Sequence, residues 1–427
     1  MQLKCLRCGK LYPPIVTLEK CACGGPLSLE GARSSGTGDG VWRYRRHLPS
    51  MEVELSLGEA ATPLIPCIGL QKQIRLASLY VKDESKNPTG SYIDRGSAVL
   101  ASAIASSGLL SVRLHGDGNY IASMGAYLAR AGVKALGSYE LPVDLSKTIQ
   151  ASLYGVKHSS SESSPVVSYR NPFMLEGLKT IAIEMVEQLN TVPSAVIVPT
   201  ATGVLLFSLY KGFRELLDYG SIDNLPVLYA AVSKGHPLVS SKQAHTALFL
   251  PVADKTYIEE ARKALRGTGG DAVEVSDAEM IRCVRVLARV EGILAEPSAA
   301  ASVAACFRIS KRLASSSPVV ALVTGSGLKA LDLLAYSSDA TGAGAAFHRI
   351  KVEILKAIAE RAPIHAYGIY KLLNERGLAT SPQLVYAYLE DLSKRGLVYS
   401  MNVASQRRKK VFYLTPVGRS LLSLVTY

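Results

Sequence analysis

Between residues 41 and 334, short apolar runs alternate with longer stretches of helical periodicity, and nothing else in the chain narrows the fold as far. Val196-Ile-Val-Pro199 and Val319-Val-Ala-Leu-Val-Thr324 are almost wholly apolar and lead into loops of Gly, Ser and Thr. A strand that is apolar on both faces must be covered on both, as in a parallel sheet flanked by helices. Ile181–Leu189 and Ala278–Arg289 space their apolar residues as such helices do. The expected architecture is therefore α/β with covered sheets. Small and polar residues at 31–40 and 335–347 read as linkers. They set off a Cys-rich module over 1–30 and a small domain over 348–427. No run of about 18 apolar residues suggests a membrane span. Met1-Gln2-Leu3-Lys4-Cys5 opens without the apolar stretch of a secretory signal, so a cytoplasmic location is expected.

Of the seven cysteines, Cys5, Cys8, Cys21 and Cys23 cluster in the first module. Cys5-x2-Cys8-Gly and Cys21-x-Cys23-Gly-Gly have the spacing of two knuckles that grip one tetrahedral Zn²⁺, with the glycines supplying tight turns. A module of this size has no core of its own, so the metal would hold it together. It reads as a structural clip more readily than as a DNA contact or a substrate gate. Cys67, Cys283 and Cys306 sit among apolar residues, as buried thiols do.

The central segment carries, in order, Leu57-Gly-Glu-Ala-Ala-Thr-Pro-Leu64, Val81-Lys-Asp-Glu84, Asn87-Pro-Thr-Gly-Ser-Tyr-Ile-Asp-Arg-Gly96, Asn171-Pro-Phe-Met-Leu-Glu-Gly177, Glu291-Gly-Ile-Leu-Ala-Glu-Pro-Ser298 and Thr324-Gly-Ser-Gly-Leu-Lys329. These runs resemble threonine synthase and the other fold-type-II pyridoxal-phosphate enzymes, and the Cys-rich start is similar to the N-terminal ribbon of some threonine synthases. The resemblance implies two α/β lobes, as in the tryptophan synthase beta fold, with a cleft between them.

It also exposes departures. In the family, the motif that begins Asn87-Pro-Thr-Gly-Ser91 continues to a lysine that forms the Schiff base with the cofactor; here that position is Ile93. An alkyl side chain forms no imine and moves no proton. Lys82 and Lys86 lie close in sequence, but neither occupies that place. The family's Gly-rich phosphate loop reads Pro199-Thr-Ala-Thr-Gly-Val-Leu205. Aligned on Lys211-Gly212, it keeps Gly203 and replaces two glycines by Ala201 and Val204. Val204 and Leu205 are expected to put methyl groups where a phosphate would sit. The expectation is a domain without catalytic activity that does not use pyridoxal phosphate. Asn119, in Gly116-Asp-Gly-Asn-Tyr-Ile-Ala-Ser123, matches the asparagine that meets the pyridine hydroxyl, and Thr324 matches the residue that faces the ring nitrogen. With Ser91, Thr202 and Gly203 they are candidate contacts for a small amino-acid-like ligand. Equally, these loops could persist because their turns need them.

The C-terminal 80 residues hold 13 Lys/Arg against 5 Asp/Glu, so they contribute +8 of the chain's +13. Such a local excess suits a phosphate-backbone partner. Helical spacing over 352–360 and 367–375 is followed by a third helix, capped at Thr380 or Ser381, with Pro382 in its first turn and Gly396 at its end. Leu384, Val385, Tyr388, Leu389 and Leu392 form that helix's apolar stripe. Strand-like runs at 397–403 and 410–415 flank a basic segment, and a last helix is expected from Pro416. This order is that of a winged helix-turn-helix and resembles the PadR-like regulators. Ser381, Gln383 and Tyr386 on the third helix, and Arg407, Arg408, Lys409 and Lys410 at the wing, are the expected contacts to double-stranded DNA. Protein contacts are the other use of such a domain. Together these readings predict a homodimeric transcriptional regulator whose central domain senses a metabolite or supplies dimer contacts. The alternatives are a pyridoxal enzyme of the threonine synthase type with an accessory DNA-binding domain, and an architectural DNA-binding protein.

Overall fold

In a computed structural model of the chain, the structure describes residues 1–31, 35–139, 145–158, 164–240, 254–313, 318–331, 334, 343–378, 381–402, 410–415, 418–419 and 422. The linkers expected at 31–40 and 335–347 fall partly outside these residues. Thr380, Arg407, Arg408, Lys409 and the expected start of a helix at Pro416 lie wholly outside them. Two compact units result, residues 1–141 with 146–329, and residues 142–145 with 330–427.

In the first unit, β1 (Gln2–Cys5), β2 (Leu11–Tyr12) and β3 (Leu27–Glu30) form a small antiparallel sheet in the order β2-β1-β3. The chain then runs β4 (Leu64–Pro66), α1 (Ile68–Ile74), β5 (Leu79–Asp83), α2 (Ile93–Ser106), β6 (Ser111–Gly116), α3 (Gly118–Arg130), β7 (Lys134–Tyr139), α4 (Leu145–Leu153), β8 (Lys157–His158) and β9 (Val166–Ser168). It continues with α5 (Pro172–Leu189), β10 (Ala195–Pro199), α6 (Val204–Asp218), β11 (Val227–Ser233), α7 (Ile258–Gly267), β12 (Ala272–Val275), α8 (Asp277–Glu291), α9 (Ala301–Ile309) and β13 (Val319–Val323).

The two apolar runs singled out in the sequence become neighbouring central strands. The larger sheet has the order β12-β11-β10-β13-β5-β4 and is parallel except for its β4 edge. Every residue of β10 and β13 is buried. Covering a Val or Ile side chain in this way contributes about 1.5–3 kcal/mol. The second sheet, β8-β7-β6-β9, is wholly parallel. These two sheets with their helices make the α/β architecture expected from the pattern.

The second unit comprises α10 (Ala343–Arg361), β14 (Ile364–His365), α11 (Ala366–Glu375), α12 (Pro382–Lys394), β15 (Val398–Asn402) and β16 (Lys410–Leu414). Its antiparallel sheet has the order β14-β16-β15. Ile354, Leu355, Ile358, Ile369, Leu373, Val385, Leu389 and Leu392 form its interior. This is a winged helix. The short β14, which falls between the first two helices, has no counterpart in the sequence reading. Two residues give no periodicity to detect, and it exists by pairing Ile364 with Phe412 and His365 with Val411.

Candidate functional site

In open α/β sheets, ligands bind beyond the carboxyl ends of the strands. Three adjacent parallel strands converge there. β5 leads into the loop bearing Ser91, β13 into Thr324, and β10 into Thr202 and Gly203. Ser91 bridges to Gly325, the Tyr92 N–H donates to the Thr324 carbonyl at 3.0 Å, and the Ser326 N–H donates to the Gly90 carbonyl at 2.9 Å. Asn119 follows β6 of the other sheet and reaches the same cleft through Glu296, its Nδ2 donating to Oε1 at 3.2 Å.

A buried ionic core supports the Ser91 loop. Arg95 donates to Glu84 at 2.7 Å and to Glu184 at 2.9 and 3.0 Å. Lys82 donates to Glu184 at 2.5 Å, to the Thr62 carbonyl at 2.7 Å and to Gln188 at 2.8 Å. Burial alone would raise Glu184, but the charges and hydrogen bonds of Arg95 and Lys82 outweigh it and hold this carboxyl well below the usual range. Asp94 accepts from the Thr89 N–H and hydroxyl, both at 2.6 Å, and from Ser123 at 2.5 Å. Burial nevertheless pushes Asp94 up to about 6.

Ile93 opens α2 and is 2% exposed, within the hydrophobic core. The titratable groups of the cleft lie elsewhere. Lys147 Nζ is 3.2 Å from the buried Glu296 carboxylate. Burial raises Glu296, and the charges of Lys147 and Lys329 more than reverse this. Lys329 Nζ donates to the Thr89 carbonyl at 2.9 Å. Burial brings Lys329 down to about 8, against the opposing pull of Glu296. Asn119 Oδ1 is buried and lacks a hydrogen-bond partner among the described residues. Such an atom carries a free-energy cost of about 1–3 kcal/mol unless something donates to it.

The loop after β10 differs from the expectation. Val204 packs with Leu175, Leu178, Phe207 and Tyr257, and Leu205 joins the main core. Their methyl groups thus pack in the interior. Gly203 has φ +87°, and a Cβ there would come 2.7 Å from the Tyr257 carbonyl, so the glycine that remains is the one the backbone requires. It offers α6 no side-chain cap, which leaves the first-turn N–H groups to an anion. His236, not singled out in the sequence, fixes this loop. Its Nε2–H donates to the Ala201 carbonyl at 2.7 Å while Nδ1 accepts from the Leu238 N–H at 3.1 Å. Burial lowers its pKa, in keeping with the neutral ring that this pairing requires.

The four clustered cysteines place their sulfurs within 4.8 Å of one another. Cys5 and Cys23 are 3.5 Å apart, Cys8 and Cys21 3.6 Å. Sulfurs on a tetrahedron with Zn–S bonds of about 2.3 Å lie about 3.8 Å apart. A Cβ on Gly25 would meet Cys5 Sγ at 2.8 Å. The module is stitched to the helical face of its unit: Glu19 accepts from Ser168, Asn171 donates to the Val16 carbonyl, and Tyr257 donates to the Leu27 carbonyl.

In the winged helix, Ser381 caps α12 by accepting from the Leu384 N–H at 3.2 Å, with Pro382 in the first turn. Gln383, Tyr386 and Lys410 are exposed, while Val385, Tyr388, Leu389 and Leu392 are buried and Leu384 is half-buried.

The profile of the pyridoxal-phosphate dependent enzyme family matches residues 55–325, and that of the transcriptional regulator PadR-like family matches residues 354–424. The threonine synthase of Methanocaldococcus jannaschii is 32% identical over 386 residues, covering 79% of this chain and 95% of that protein. The threonine synthase of Methanosarcina acetivorans is 31% identical over 373 residues, covering 77% of this chain and 92% of that protein. An L-serine ammonia-lyase from Rhizomucor miehei shares the fold, with a TM-score of 0.53 at 21% identity over 64% of this chain and 96% of that one. The chain belongs to the pyridoxal-phosphate dependent enzyme family. Within it, threonine synthases are its relatives, and it carries a PadR-like domain in addition.

These matches overturn two expectations, that the chain is not an enzyme and that pyridoxal phosphate is not its cofactor. Relatives alike over most of their length point to an enzyme that uses this cofactor. The physical reason is local: the Val204 and Leu205 side chains pack into the core, and the cleft keeps an amine at Lys329. Among the described residues, no helix is long and apolar enough to cross a membrane.

Proposed function

We propose that the chain is a pyridoxal-phosphate-dependent enzyme of the threonine synthase type joined to a DNA-binding regulatory domain. The observation that carries this reading is the unpaired Asn119 Oδ1, buried beside Glu296 at the carboxyl edge of the sheets. It fits a ligand hydroxyl such as the one on the pyridine ring. The uncapped first turn of α6 fits the phosphate. Bound there, the cofactor supplies an electron sink for charge that develops on an amino-acid carbon. The protein's part is to bind and orient. Asn119 would hold the ring hydroxyl, Thr324 the ring nitrogen, and Ser91, Thr202 and Gly203 the rest of the ligand. Glu296, kept ionised by Lys147 and Lys329, anchors Asn119. The first experiment is to purify the full chain with pyridoxal phosphate, remove free cofactor and count what each chain retains. The second is to assay threonine formation. A folded chain that retains no cofactor ends the enzymatic half of the proposal.

Ser381, Gln383 and Tyr386 on α12, with Lys410 and the neighbouring Arg407, Arg408 and Lys409, would meet double-stranded DNA, and the four cysteines would hold zinc as a structural clip. An amino-acid-like ligand that shifts DNA affinity must have its own affinity shifted by DNA by the same factor. Paired titrations test this.

A further inference from the structure

We propose that the Lys329 amine does what the Ile93 side chain cannot, condensing with the aldehyde of a pyridoxal-type cofactor held in the cleft. The proposal rests on the enzymatic reading above and names the residue that makes the covalent link.

Among the described residues, Lys82, Lys86, Lys147 and Lys329 lie on or near the Ser91 loop and its cleft, and the first three are committed elsewhere. Lys82 has no exposed surface and its three hydrogen bonds tie it to Glu184, Thr62 and Gln188. Lys86 lies 3.6 Å from Asp83 with its side chain 58% exposed, turned to solvent. Lys147 is paired with the Glu296 carboxylate at 3.2 Å. Lys329 differs. Its side chain lies across Gly90, where a Cβ would come 3.1 Å from its Cδ. The partner of its Nζ is the neutral Thr89 carbonyl. Gln150 Nε2 also donates to that carbonyl at 3.1 Å, so Thr89 keeps a partner when the lysine swings away. Burial brings the amine to about 8, which leaves a usable free-base fraction near neutral pH. Lys329 stands five residues past Thr324, on a loop tied to the Ser91 loop by the Ser326 N–H.

The chemistry balances without an oxidant or reductant. The free amine attacks the aldehyde carbon and a carbon–nitrogen bond forms. The carbonyl oxygen then leaves as water, carrying both hydrogens of the former NH₂, and the carbon–nitrogen bond becomes double. One amine and one aldehyde give one imine and one water.

The test uses the full chain, loaded with pyridoxal phosphate, reduced with borohydride, digested and mapped by mass. The expected result is a phosphopyridoxyl group on Lys329, lost at least tenfold in Lys329→Met and retained in Lys86→Met, whose side chain is turned to solvent. Thermal melting shows whether each variant is folded. If Lys329→Met does not fold, the wild-type map still decides. An adduct on Lys147 or any other lysine overturns the proposal. Retained cofactor with no adduct also overturns it and leaves the enzymatic reading standing. A folded wild type that retains no cofactor overturns both.

Discussion

At the scale of single residues, the Lys329 amine stands out because its hydrogen-bond partner is the neutral Thr89 carbonyl. That residue 93 is an isoleucine was legible at once, because residue identity needs no coordinates. The setting of Lys329 was not legible, since its neutral partner arises from packing of the two loops, which the sequence does not display. The direction of Val204 and Leu205 was misjudged for the same reason: on a helix's first turn, the facing core decides which way a side chain points. The amine should also have a measurable pH signature. Lys329 faces Glu296 and Asp94, Asp117 and the like charge of Lys147, and burial dominates, placing it at about 8. Deprotonation makes the nucleophile, so capture of pyridoxal phosphate should speed up as pH rises and level off above about 8. Stopped-flow absorbance reads the rate. A profile that keeps rising to the ordinary lysine range of about 10.4 would mean that burial does not tune this amine. Restoring the family residue gives a complementary expectation. In Ile93→Lys the adduct should move to position 93, at some loss of stability from a new buried charge, and peptide mapping with a thermal melt reads both.

At the scale of elements, close approach and metal geometry make the sharper demands. Gly177 lies where α5 crosses α2, and a Cβ there would sit 2.0 Å from the Arg95 carbonyl and 2.7 Å from Gly96 Cα. Both obstacles are backbone and neither can rotate away. Gly177→Ala should therefore cost about 1–3 kcal/mol or more, and because α2 follows the Ser91 loop, cofactor retention should fall with stability. Denaturant titration checks the first effect, and an unchanged midpoint would show that the helices part easily. For the N-terminal module, Cys21→Ser should lower the zinc content and loosen residues 1–30 while leaving cofactor binding largely intact. Metal analysis of the freshly purified protein, which should find one zinc per chain, decides whether there is a site at all. The helix α12 was legible almost to its ends, from Ser381, Pro382 and Gly396, because caps are local chemistry. The strands β6 to β9 were not singled out, since short, partly exposed runs resemble loops until a neighbour pairs with them.

At the scale of the whole molecule, an α/β enzyme fold and a winged helix share one chain, and the charge is unevenly divided between them. Residues 396–427 contain no acidic residue, and Arg407, Arg408, Lys409 and Lys410 follow one another within them. Ion pairing inside that segment is therefore unavailable to these four cations. A basic run of this kind either stays solvated or neutralises phosphates, and salt distinguishes the two. Each DNA phosphate neutralised releases about 0.9 counterion equivalents into the slope of log affinity against log salt. If Arg407 and Arg408 each meet a phosphate, Arg407→Ala with Arg408→Ala should weaken binding on every duplex and flatten that slope by about two at most. Gln383 is exposed near the N-terminal end of α12, behind the Ser381 cap, where a recognition helix reads base edges. Gln383→Ala should alter the preference among sequences and leave the slope nearly unchanged, because base contacts carry specificity while phosphate contacts carry the salt dependence. Fluorescence anisotropy over a salt series, on random and operator-like duplexes, reads both effects in the full chain. Should the double arginine variant bind as tightly as wild type at every salt concentration, the basic run is a solvated surface, and DNA contact must be sought on α12 alone.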